Sequence, residues 1–77
     1  MSKFRYVRTD TQKRRAYYTR TEGPKTSWYC IQKTDDEYGI AFYACSSDGE
    51  LAYPHSLPDP YEFDELVLPN SVRGKNT

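Results

Sequence analysis

Two runs decide the fold: Ser27-Trp28-Tyr29-Cys30-Ile31-Gln32-Lys33 and Gly39-Ile40-Ala41-Phe42-Tyr43-Ala44-Cys45. In the first, Trp28 and Cys30 face one way while Tyr29 and Ile31 face the other. In the second, Ile40, Phe42 and Ala44 share one side, and Ala41, Tyr43 and Cys45 share the opposite side. Alternation rich in aromatic and β-branched residues is the signature of a strand. Thr34-Asp35-Asp36-Glu37 lies between them as a polar loop. The two runs therefore close as an antiparallel hairpin, with Cys30 and Cys45 as candidate neighbours. Ser47-Asp48-Gly49-Glu50 carries the Asp-Gly pair of a tight turn, and Leu51-Ala52-Tyr53 reads as a short return strand.

The same logic extends outward. From Lys3 to Arg8, Phe4 and Tyr6 share one side and Lys3 and Arg5 the other, so this segment reads as a strand. Arg14 to Arg20 is a second strand, with a helix beginning at Thr9 or Asp10 as the competing reading. Glu22-Gly23-Pro24-Lys25 breaks the chain, because Pro24 fixes its φ and Gly23 tolerates left-handed geometry. Downstream, Pro54, Pro58 and Pro60 forbid a central strand. Asp59-Pro60-Tyr61-Glu62 opens a short helix, with Asp59 as cap and Glu62 as the capping-box acid. Phe63, Leu66 and Val67 form its buried face and Pro69 stops it. The expected fold is a small β-rich α+β domain over residues 1–69. It has a three- to four-stranded antiparallel meander, one short C-terminal helix, and a flexible tail at 70–77. Its expected core is Trp28, Cys30, Ile40, Phe42, Phe63 and Leu66.

At 77 residues there is room for one domain only, and a chain of this size buries about 60% of its unfolded surface. Only 36% of residues are hydrophobic and 29% are charged. The twelve aromatics, eight of them Tyr, nevertheless set the chain apart from disordered sequences. No apolar run is long enough for a membrane span, and no signal-peptide core is present. Two cysteines do not make a secreted disulfide framework, so both read as buried thiols, reduced inside a cell. One histidine, His55, leaves no familiar four-ligand zinc set. Asp35-Asp36-Glu37 lacks the spacing of a calcium loop. With no nucleophile–base set, phosphate loop or nucleophile elbow, the expectation is a binding module without enzymatic activity or cofactor.

The net charge of zero hides a split. Residues 1–33 carry nine Lys/Arg against Asp10 and Glu22, a net +7; residues 34–77 carry nine acids against Arg73 and Lys75, a net −7. Such asymmetry points to an interaction face or to a polyanionic partner. A plainer reading is that the halves attract each other across the fold. The basic, aromatic-interleaved segment is the expected working surface, and its partner-binding residues are Arg5, Tyr6, Arg8, Lys13, Arg14, Arg15, Tyr17, Tyr18 and Arg20. Arg with Tyr suits a protein interface. It also suits single-stranded nucleic acid, where cations meet phosphates and rings stack on bases. Asp59, Glu62, Asp64 and Glu65 around Tyr61 and Phe63 make a smaller acidic-aromatic patch.

The opening Met1-Ser2-Lys3-Phe4-Arg5-Tyr6-Val7-Arg8, the many Tyr, the basic start and the acidic finish resemble the small host-takeover proteins of tailed bacteriophages. More narrowly, the chain resembles phage transcription regulators that bind host RNA polymerase. The resemblance implies a monomeric regulator in the host cytoplasm that inhibits transcription initiation by displacing σ, promotes antitermination, and docks through its basic amino-terminal segment. An inhibitor of another host defence complex would share these traits.

Overall fold

A computed structural model describes residues 2–35 and 39–69. Five strands, β1 (Arg5–Asp10), β2 (Arg15–Glu22), β3 (Lys25–Lys33), β4 (Ile40–Cys45) and β5 (Leu51–His55), form one antiparallel sheet in the order β1-β2-β3-β4-β5. The connections are local. Glu22 pairs with Lys25 across Gly23-Pro24, and Gly23 sits at φ +61°, as the first position of a primed hairpin turn requires. Between β1 and β2, the Lys13 amide donates to Asp10 Oδ1 at 3.1 Å, and Arg14 takes φ +57°.

Register divides the side chains between two faces. Tyr18 opposes Tyr29, Ala16 opposes Ile31, and Ile31 opposes Phe42. Paired residues share a face, so Tyr18, Ile31 and Phe42 meet in one core together with Phe4, Ala16 and Phe63. The segment after β5 covers this core as a strap. Its Phe63 ring lies 5.1 Å from Phe4 and 4.9 Å from Tyr18, centroid to centroid. The Phe4 amide donates to the Glu62 carbonyl at 2.8 Å, and the Asp64 amide to the Phe4 carbonyl at 2.9 Å. The strap thus forms a parallel bridge with the residue leading into β1, and Asp64 Oδ1 accepts from the Tyr6 amide at 3.1 Å. Backbone groups at this sheet edge are occupied that would otherwise invite another strand.

The β-rich class is as expected, but its details differ. There are five strands rather than three or four. The expected C-terminal helix is a single 3-10 turn, Pro60–Glu62. The Glu62 half of its capping box forms, with the Asp59 amide donating to Glu62 Oε2 at 3.2 Å, while the Glu62 amide donates to the Asp59 carbonyl at 2.9 Å. Phe63 then turns extended, at φ −106° and ψ 140°, because there it can bridge to Phe4 and fill the core. Tertiary packing overrides local helix signals in this way. β5 passes through Pro54, which an edge strand tolerates. Of the expected core, Phe42 and Phe63 are buried and Ile40 packs against them. Cys30 is fully buried as expected, but on the opposite face from Phe42; Trp28 shares that face and is half-buried, and Leu66 is exposed. The expected tail at 70–77 and Asp36 and Glu37 of the acidic loop lie outside the described residues. No described helix is long and apolar enough to cross a membrane.

Candidate functional site

The second face of the sheet is read from the same register. One row runs Arg8, Tyr17, Cys30, Tyr43, Pro54, and a neighbouring row runs Arg5, Thr19, Trp28, Cys45, Leu51. Pairing irregularities adjust the rows at both edges, between Tyr6 and Arg8 and between Ala44 and Cys45. The Arg8 guanidinium carbon stands 4.3 Å from the centroid of the Tyr17 ring, a cation–π contact. The turn after β4 folds back onto this face: the Gly49 carbonyl accepts from Arg15 Nη1 at 3.3 Å and lies 3.5 Å from the Tyr17 hydroxyl. Ser46 Oγ donates to Asp48 Oδ1, and the Glu50 amide donates to the same oxygen, which holds the Asp48 carboxyl below its ordinary pKa.

Opposite Tyr17 on the neighbouring strand, burial pushes the Cys30 thiol up to about 12. Cys30 and Cys45 are both free and in side-chain contact, and burial also raises Cys45, with Arg15 opposing the shift at each. These thiols stay protonated at neutral pH and are poor nucleophiles. Trp28 and Tyr43 are half-buried. Neither the indole N–H nor the Tyr43 hydroxyl has a hydrogen-bond partner among the described residues, and neither ring contacts another ring there.

The expected partner-binding residues divide into three groups. Arg5, Arg8, Lys13 and Arg14 are exposed on the β1–β2 hairpin. Arg15 and Arg20 are tied inward. Arg15 Nε donates to Gln32 Oε1 at 2.8 Å, and its hydrogen bond to the Tyr17 hydroxyl raises its pKa. Arg20 lies over the Phe4 ring at 5.0 Å and pairs with Glu22 at 3.3 Å. The tyrosines form the third group. Tyr17 and Tyr18 are 2% and 0% exposed, so neither offers apolar area to a partner. Tyr6 packs half-buried on the core, its hydroxyl 2.6 Å from Thr9 Oγ1. In their place the second face presents Trp28 and Tyr43. Strand alternation groups Trp28 with Cys30 and Tyr43 with Cys45, and the register brings the two pairs together, with Trp28 opposite Cys45 and Cys30 opposite Tyr43.

Charge pairing across the fold is sparse. Among the described residues, the one ion pair joining the basic and acidic halves is Arg5–Asp64 at 3.9 Å, with Arg5 77% exposed. Lys13, Arg15, Asp48 and Glu50 line an open cleft of about 480 Å³. No three His, Cys, Asp or Glu side chains converge as a metal site among the described residues. Comparison of the chain with known family models, with curated proteins and with solved structures finds no match.

Proposed function

We propose that the chain is a non-enzymatic regulator that docks on a large host protein complex through the exposed cations of its β1–β2 hairpin. The partner named by the phage-regulator resemblance is bacterial RNA polymerase. On that reading the protein works as a monomer in the host cytoplasm, displaces σ to inhibit initiation, and promotes antitermination. One observation carries the docking surface: Arg8, Lys13 and Arg14 are exposed and make no ion pair among the described residues, so the acids described there do not consume them. Arginine forks of this kind pair bidentately with carboxylates on an acidic surface. Immobilised protein incubated with bacterial lysate should retain polymerase subunits. Release by salt should be graded, as for charge-steered contacts. Recovery of no polymerase subunit removes this partner.

A further inference from the structure

The second sheet face has chemistry that an acidic protein surface does not need. Trp28 on β3 and Tyr43 on β4 are half-buried and lie on this face in diagonal register, since Trp28 opposes Cys45, two residues from Tyr43. Diagonal neighbours in a sheet are about 7–8 Å apart, a step that adjacent nucleotides of an extended strand can span. Neither ring is engaged by another ring or by a hydrogen bond among the described residues. On the edge strand β1 of the same face, two strands from Trp28 and three from Tyr43, stand Arg8, stacked on Tyr17, and Arg5, which is 77% exposed and 3.9 Å from Asp64. Rings on one sheet face with guanidinium groups on the same face are the two parts of a single-strand platform: stacking holds the bases and cations track the phosphates.

We infer that this face binds single-stranded nucleic acid, with Trp28 and Tyr43 stacking on unpaired bases and Arg5 and Arg8 meeting the phosphates. The inference is independent of the polymerase reading. The turn bearing Asp48 and Glu50 overhangs the Tyr17 side of the face, and its carboxylates repel phosphate. A duplex cannot use the platform, because its bases are already stacked and paired.

The test is a titration of the full chain with fluorescein-labelled dT12 and rU12 at about 50 mM salt, the low-salt regime in which phosphate contacts are strongest. Anisotropy and the emission of Trp28, the single tryptophan, are followed together. Binding should quench Trp28, and the affinity should fall with salt at a log–log slope near −1.4, about −0.7 for each of two phosphates on a single strand. Trp28→Ala and Tyr43→Ala should each weaken binding at least about fivefold, the lower end of a lost stacking contact. Trp28→Phe, which keeps a ring, should retain affinity. Asp48→Asn with Glu50→Gln should tighten it. If Trp28→Ala fails to fold, the Tyr43→Ala and Asp48/Glu50 variants carry the test. No anisotropy change at low salt overturns the inference. So does equal binding of a duplex with unquenched Trp28, which would mean a phosphate-only contact. Capture of polymerase with no oligonucleotide binding leaves the hairpin reading standing and overturns this one.

Discussion

The Tyr18 hydroxyl and the Val67 backbone satisfy each other twice: the hydroxyl donates to the Val67 carbonyl at 2.8 Å and accepts from the Val67 amide at 2.8 Å. The two residues are 49 positions apart, so one side chain ties the strap to the middle of the sheet. Tyr18→Phe keeps the ring in the core and strips both partners. It should cost about 1–3 kcal/mol, the range for backbone groups left without partners. Urea unfolding would show this as a lower midpoint with an unchanged slope, and the Val67 amide should exchange faster. Tyr61→Phe, at a position 73% exposed, should stay within about 0.5 kcal/mol of the parent.

The same burial makes stability depend on alkaline pH. Burial raises the Tyr18 hydroxyl from 10.0 to about 12 and the Cys30 thiol from 9.0 to about 12. In the unfolded chain both groups lose their protons at the ordinary values, so the folded state binds more protons between the two. Stability is therefore fully present below pH 9 and falls as pH rises toward 12. Unfolding midpoints measured from pH 7 to 11 should be level at first and then decline. Cys30→Ala should make the decline between pH 9 and 10 shallower. A midpoint still level at pH 11 would contradict the buried, neutral state of both groups.

Strand positions were legible in the sequence; the partition of side chains between faces was not. Alternation located β3 and β4 because both faces of each strand carry aromatic or aliphatic residues, which marks a strand without saying which side is the core. The one-residue difference between pairing Ile31 and pairing Cys30 with Phe42 decides that question, and a slip of one exchanges the faces. It is settled by contacts distant in sequence: Phe4 and Phe63 bracket Phe42, with centroids 5.6 and 6.2 Å away. The strap was misread for a related reason. Its capping residues are real helix-start signals, but Phe63 is worth more in the core than in another helical turn. The cations of the β1–β2 hairpin were readable from charge, but charge does not separate the exposed Arg5, Arg8, Lys13 and Arg14 from Arg15 and Arg20, which are tied inward. The burial of Tyr17 and Tyr18 was hidden because tyrosine suits interfaces and cores equally.

Two glycines separate backbone strain from steric strain. Gly23 and Gly49 both have positive φ, +61° and +93°. A Cβ on Gly23 meets nothing within 4 Å, whereas one on Gly49 lies 3.0 Å from the Tyr17 hydroxyl and 3.3 Å from its ring. Gly23→Ala should cost about 1 kcal/mol, the penalty for an L-residue in left-handed geometry. Gly49→Ala adds displacement of the Tyr17 ring and should cost roughly 2–4 kcal/mol, backbone penalty and overpacking together. It should also perturb Arg8, which rests on that ring. Thermal unfolding of the two variants side by side measures the difference, and equal losses would mean that the turn does not press on Tyr17.

Arg14 and Arg15 are adjacent in sequence and opposite in role, which lets docking be separated from folding. Arg15 donates to Gln32 and to the Gly49 carbonyl, so Arg15→Ala should destabilise the fold by about 1–2 kcal/mol, as expected for hydrogen bonds from a partly exposed charged group. Arg14 is exposed, and its side chain has no hydrogen bond or ion pair among the described residues. Its φ of +57° is a conformation that glycine adopts freely. Arg14→Gly should therefore leave stability unchanged or raise it by up to about 1 kcal/mol. Combined with Lys13→Ala, it removes the two exposed charges of the turn without touching any packed group. If the hairpin docks on an acidic partner, this variant should bind polymerase at least about tenfold more weakly by calorimetry, or about 1.4 kcal/mol. Its loss should appear partly in the association rate, as for steering charges. An Arg14→Gly, Lys13→Ala protein that is as stable as the parent and binds as tightly would show that the hairpin tip is not the docking surface.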